Sequence, residues 1–145
     1  MRFLHTSIRI SNVDESLDFY CNKLGMREIV RSDVPSGKFT LFFLAAPDSP
    51  KGVHGAPQLE LIYNWDSKEE YEVGRAWANL AFTVEDIYAT CRRLQRMSVV
   101  LNRPPHDGRL AFIKSPDNIT IMLVQAGKAL IPQEPWLSMP NIGSW

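Results

Sequence analysis

One order of extended and helical signals runs twice along this chain, and that repetition limits what it can fold into more than any other feature. The first round opens with an extended segment near residues 2–10, followed by Ser11-Asn12-Val13-Asp14, where Ser11 can cap a helix and Asp14 reinforce its first turn. Leu17, Tyr20, Cys21 and Leu24 recur at helical spacing, and Gly25 supplies the left-handed residue that ends many helices. Extended stretches at 27–32, 39–45 and 58–64 follow, the last two separated by a proline- and glycine-rich loop from Pro47 to Pro57. The second round sets a strand near 76–84, a helix opened by Glu85-Asp86 that carries Ile87, Cys91 and Leu94, and extended segments near 99–101, 110–114 and 119–125. Each half therefore reads strand, helix, three strands, which predicts an α+β fold of two modules, about 1–66 and 75–125. Together they make a single domain over 1–127, with residues 128–145 as a tail.

The 145 residues suit one domain or two small fused modules. Lysine and arginine balance aspartate and glutamate at 16 each, and no basic run appears that could track a phosphate backbone, so nucleic acid is not expected as a partner. Neither an apolar stretch of roughly 18 residues nor a charged-then-apolar leader is present, which predicts no membrane span and a cytoplasmic location. The two cysteines, Cys21 and Cys91, sit far apart in separate helical patterns and read as reduced thiols rather than a disulfide.

Aligning the two rounds puts His5 in register with Asn79, and Glu60 with Met122. Glu60 interrupts the apolar strand Gln58-Leu59-Glu60-Leu61-Ile62-Tyr63-Asn64-Trp65, and a carboxylate there needs a metal or an ion-pair partner. His5 is the nearest candidate by pattern. Side chains two apart on a strand share a face, so His5, Ser7 and Arg9 go together, as do Glu60, Ile62 and Asn64. Arg75, Trp77 and Asn79 form a third set if the second module's first strand begins that early. The expected surface pairs a ligand end, His5 and Glu60, with an end that recognises anions and amides, Arg9, Asn64 and Arg75. That is the layout of a polar ligand-binding groove.

These residues resemble glyoxalase I, lactoylglutathione lyase, of the vicinal-oxygen-chelate superfamily. The matching stretches are Leu4-His5-Thr6 with Ile8-Arg9-Ile10, Ser16-Leu17-Asp18-Phe19-Tyr20, Leu24-Gly25-Met26, Leu59 to Trp65, Tyr71-Glu72-Val73-Gly74-Arg75 and Ser115-Pro116-Asp117-Asn118. The resemblance implies paired βαβββ modules forming a curved mixed sheet, assembled as a homodimer. It implies four ligands, two histidines and two glutamates, holding nickel or zinc at each of two intersubunit sites. Those positions fall on His5, Glu60, Asn79 and Met122, and the family's proton-moving glutamate falls on Met122 as well. Contacts to the carboxylate of a γ-glutamyl group fall on Arg9, Asn64 and Arg75, and Arg109 lies near a basic position that meets the glycyl end.

Asn79 offers a neutral carbonyl oxygen and Met122 a soft thioether, so nickel or zinc is expected to bind weakly or not at all. Methionine carries no titratable group and cannot act as a base. Three readings follow. The first is a glyoxalase I-like protein that binds glutathione or its hemithioacetal adduct with weak or lost isomerase activity. The second is an active metal-dependent lactoylglutathione lyase acting on the methylglyoxal–glutathione hemithioacetal, with Glu60 as base. The third is a non-catalytic module that binds or sequesters a small molecule. A heterodimer with an intact relative would restore one full ligand set. Against these stands the plain alternative that His5 and Glu60 form an ion pair and Arg9, Asn64 and Arg75 are ordinary sheet-edge residues. His54 and His106 read as exposed loop histidines, His106 being the better substitute ligand. Trp77 and Phe112 read as core or pocket wall, and the tail is expected to pack a tryptophan on the domain or on a partner subunit.

Overall fold

A computed structural model describes residues 1, 3–49, 56–67 and 70–145. The chain divides into two units, Met1–Glu72 and Val73–Trp145. The first contains β1 (His5–Ile10), α1 (Val13–Leu17), a π-helical stretch (Asp18–Lys23), β2 (Arg27–Val34), β3 (Phe39–Ala45) and β4 (Gln58–Asn64). The second contains β5 (Leu80–Val84), α2 (Ile87–Arg96), β6 (Leu110–Lys114) and β7 (Thr120–Gln125).

In the first unit the helix cap is Asn12 rather than the expected Ser11. Asn12 holds an extended backbone and its side-chain oxygen accepts from the Glu15 N–H, while its amide reaches back to the Glu15 carboxylate at 3.3 Å. The Asn12 oxygen thereby satisfies one N–H that a helix start would otherwise orphan. The expected single helix to Leu24 widens at Asp18 into π-type bonding, with Leu24 N–H donating to the Phe19 carbonyl at 3.0 Å. Gly25, at φ +78°, then takes the left-handed conformation that reverses the chain into β2. The sheet runs β1-β4-β3-β2, with β1 parallel to β4 and the other neighbours antiparallel. One face buries Ile8, Ile10, Phe42, Leu44, Leu59 and Leu61, and Phe19 and Tyr20 of the helical segment are buried too.

In the second unit Asp86 caps α2 by accepting from the Ala89 N–H at 2.8 Å, and buried Gln125 accepts from the Ile87 N–H at 2.8 Å. Ile87, Tyr88, Cys91 and Leu94 form the buried stripe of α2, which packs on β6 and β7. The sheet order is β5-β7-β6, β5 parallel and β6 antiparallel to β7. Two sequence expectations change here. The segment 99–101 forms no strand: Val99 and Leu101 are buried, but the ladder contributes only an isolated bridge, Arg103↔Phe112. The first strand of this unit begins at Leu80, so Arg75, Trp77 and Asn79 precede it and share no strand face.

Residues 128–145 are built into the second unit. Trp136 is 1% exposed and stacks on Tyr88 with ring centroids 5.9 Å apart and planes 10° apart. Leu130 N–H donates to the Gly108 carbonyl at 3.0 Å, and a Cβ on Gly108 would lie 2.1 Å from the Leu130 oxygen. Only glycine lets the tail approach so closely. No helix among the described residues is long and apolar enough to cross a membrane, and Cys21 and Cys91 are both free thiols.

Candidate functional site

Parallel pairing of β1 with β4 sets Ser7 directly beside Glu60, and antiparallel pairing of β3 sets Phe43 on its other side. Residues paired in register share a sheet face, so His5, Ser7, Glu60 and Phe43 stand together, opposite the core face of Leu59 and Leu61. The Ser7 hydroxyl donates to Glu60 Oε2, and His5 Nε2 lies 3.7 Å from the same oxygen. The two side chains differ in setting: Glu60 is 10% exposed and His5 37%. A sunken carboxylate is thus held by a short hydroxyl contact and faces an open imidazole, whose ring meets Phe43 edge-on at 5.8 Å. At 3.7 Å the histidine contact is longer than a hydrogen bond.

Arg9 and Asn64 continue this face, since Arg9 pairs with Ile62 and Asn64 follows two residues later on β4. Arg9 is exposed, whereas half-buried Asn64 is oriented by donating its amide to the Tyr71 hydroxyl at 3.0 Å. The first unit therefore brings together four of the site residues expected from the sequence, His5, Arg9, Glu60 and Asn64, with Ser7 among them.

Arg75, Asn79, Arg109 and Met122 belong to the second unit. There β7 pairs Met122 with Ala81 on β5 and with Phe112 on β6, and Asn79 lies two residues before Ala81. This reproduces the first unit's geometry position for position. His5 becomes Asn79, Ser7 becomes Ala81, Phe43 becomes Phe112 and Glu60 becomes Met122, so strand register supports the internal alignment read from sequence. Arg75 is exposed in the connection before β5, and exposed Arg109 donates through Nη1 to the Gly127 carbonyl at 3.3 Å.

The donor sets do not suit a resident nickel or zinc ion. The first unit offers one imidazole, one carboxylate and a hydroxyl, the second an amide and a thioether, and no group of three or more His, Cys, Asp or Glu fit to hold a metal occurs among the described residues. A catalytic zinc keeps three histidine, carboxylate or thiolate ligands. His106, the candidate substitute ligand, is engaged elsewhere: its Nε2 meets the Met139 carbonyl at 2.7 Å and so donates. That bond ties down the tail rather than building a metal site. His54 lies outside the described residues.

The bond from Ser7 to Glu60 depends on strand pairing 53 residues apart, which the sequence pattern does not reveal. Phe43 is not singled out by the sequence, and only the β3–β4 register sets it against His5 and Glu60.

Residues 2–123 match the family model of the Glyoxalase/Bleomycin resistance protein/Dioxygenase superfamily. The chain is 39% identical over 130 residues to a lactoylglutathione lyase of Neisseria meningitidis, covering 86% of this chain and 91% of that protein. It is 37% identical over 131 residues to a probable lactoylglutathione lyase of Synechocystis, covering 86% and 95%. Among solved structures, the trypanothione-dependent glyoxalase I of Leishmania major superposes with a TM-score of 0.76 at 33% identity, covering 86% of each chain. A relationship at this level extends through both units, and the chain belongs to the glyoxalase/bleomycin resistance protein/dioxygenase superfamily, among its lactoylglutathione lyase-like members.

Proposed function

We propose that this protein binds glutathione or a glutathione hemithioacetal in a groove completed by a second copy of the chain, with weak or lost isomerase activity. The observation that carries this reading is the register equivalence of Glu60 and Met122. The isomerisation of a hemithioacetal moves a proton between adjacent carbons, and a base must accept it. At the position where the resemblance expects that base, a thioether stands. Losing general-base help costs roughly 10²–10⁴ in rate. Any nickel or zinc at His5 and Glu60 would be weakly held, because two good ligands leave the coordination largely to water.

The binding half of the reading rests on Arg9 and Asn64. A guanidinium and an amide on one face suit the planar carboxylate of a γ-glutamyl group through charge-assisted hydrogen bonds. Arg75 and Arg109 are proposed as further cations for the ligand's anionic ends.

A second reading keeps the enzyme active, with Glu60 as base. The observation in its favour is the burial of Glu60 against Ser7 and His5, an investment that a vestigial acid would not require. One set of measurements separates the two. Titration with S-methylglutathione should raise the melting temperature of the wild-type chain, and its hemithioacetal turnover should be negligible with or without nickel or zinc. The double substitution N79H/M122E should then raise turnover by about 10² or more. Metal-dependent wild-type turnover that vanishes in Glu60→Gln would favour the second reading. No ligand stabilisation at millimolar concentration would count against glutathione binding.

A further inference from the structure

Glu60 is held by a group that its counterpart in the second unit lacks. By register Ser7 corresponds to Ala81 and Glu60 to Met122, so the hydroxyl is present where the acid is and missing where the acid is replaced. The Ser7 hydroxyl donates to Oε2, the same oxygen that His5 Nε2 faces from 3.7 Å. Phe43 is the cross-strand neighbour on the other side of Glu60, with its ring edge-on to the imidazole.

A carboxylate sunk among apolar residues needs either a counter-charge or hydrogen-bond donors. This one is met by a donor. His5 stands beyond hydrogen-bond range and its side chain is 37% exposed, and Arg9 is exposed two residues past Ser7. The group bonded to Glu60 among the described residues is therefore a neutral hydroxyl, and it takes the oxygen through which a cation between His5 and Glu60 would be held. A cation at that oxygen repels the positive hydrogen of the hydroxyl. For both to stay, the hydroxyl must turn, giving up a charge-assisted bond to offer an alcohol oxygen. Alcohols lie outside the histidine, carboxylate and thiolate set that holds catalytic zinc. The donor set is thus more than short of ligands, because one of its members opposes the ion.

We propose that Ser7 is a positioning residue that stands in for a cation: its hydroxyl holds the Glu60 carboxylate in a metal-free, hydrogen-bonded site and lowers that site's affinity for divalent ions. The proposal deepens the reading of weak metal binding above and rests on it. Nickel titration of the full chain, followed through the His5 ring signals in proton NMR, tests it. The chain has three histidines, and the His5 signals are those missing in His5→Ala. Paramagnetic nickel broadens the signals of a ring beside it, so even millimolar binding is readable.

In Ser7→Ala the His5 signals should broaden at about tenfold lower nickel than in the wild-type chain, the scale of one hydrogen bond to a charged group. Ser7→Thr, which keeps the hydroxyl, should match wild type, and S7A/E60Q should lose the gain. At the nickel concentration that half-saturates wild type, the melting temperature should rise by about 4 °C in S7A and about 1 °C in wild type. If S7A does not fold, the isosteric pair S7T and S7V carries the same comparison. No difference in nickel response between wild type and S7A overturns the proposal. Weaker binding in S7A overturns it too, since the hydroxyl would then assist the ion, as does a gain that survives in S7A/E60Q. S-methylglutathione stabilisation, measured on the same chains, keeps the two readings apart: its absence fails the glutathione reading and leaves the nickel comparison to decide the role of Ser7.

Discussion

Glu60 sits in a strand whose neighbours Leu59 and Leu61 belong to the core, and a carboxylate in that setting is tolerated only because hydroxyl and imidazole partners meet it. Ser7 is the closer partner, so it should matter more to stability than His5. Hydrogen bonds to charged groups are worth about 1.5–3 kcal/mol, and Ser7→Ala should lower the urea-unfolding free energy by that amount. His5→Ala, which removes a longer and more open contact, should cost less than about 1 kcal/mol. Cys91 illustrates the opposite treatment of an ionisable group. Burial pushes its thiol up to about 12, against an ordinary value of 9.0, with Arg92 lowering it and Asp86 raising it by smaller amounts. Folding therefore favours the neutral thiol, a contribution fully present below pH 9 and lost as pH rises through about 12. Cys91 should resist thiol reagents at pH 8 in the native state and react only on unfolding. Stability measured in urea should fall between pH 9 and 12, and a Cys91→Ala chain should lose that part of the alkaline decline.

At the scale of elements, the loop that feeds β6 shows how a turn can replace a strand. Asp107 Oδ1 accepts from the backbone N–H groups of Arg109 and Leu110 at 2.9 and 3.0 Å, and Oδ2 accepts from Arg103 at 2.9 Å. Arg103 in turn bridges to Phe112, so this carboxylate ties the irregular segment after α2 to the edge of the sheet. Burial alone would raise the Asp107 carboxyl, but the two backbone donors and the Arg103 guanidinium outweigh it and hold it at about 2. A depressed carboxyl stabilises above its ordinary value of 3.8, and the contribution is lost as pH falls through about 2. Asp107→Asn should therefore differ in stability from the wild-type chain at pH 6 and converge with it near pH 2. The side chain is 45% exposed, so solvent screening limits the difference to about 1 kcal/mol. The same turn presents Arg109, and D107N should weaken any ligand contact that Arg109 makes.

At the scale of the whole chain, the second unit cannot be understood without its tail. Trp136 is among the largest fully buried side chains, and it stacks on Tyr88 of α2, whose hydroxyl donates to the Ile131 carbonyl at 3.1 Å. Replacing a buried aromatic by alanine typically costs about 3–5 kcal/mol, and Trp136→Ala should lower stability by that much, measured by chemical denaturation. Substitution at Trp145, which stays exposed, should leave the melting temperature within about 2 °C of wild type.

The amino-acid order by itself determined both helix locations and the limits of β3, β4 and β6, because apolar periodicity and turn residues act over a few neighbouring positions. It also determined which positions correspond between the halves, so the equivalence of Met122 with Glu60 was legible in the sequence. Tertiary structure alone decided the rest. Residues 99–101 join no sheet, and the chain reaches the ladder only at the Arg103–Phe112 bridge, next to Asn102, which bonds the tail. The donation from Ser7 to Glu60 and the approach of Trp145 to Phe112 likewise depend on strand pairing and chain return across tens of residues. Local pattern carries no record of such pairings, which are fixed only when the sheets assemble and the tail closes on the second unit.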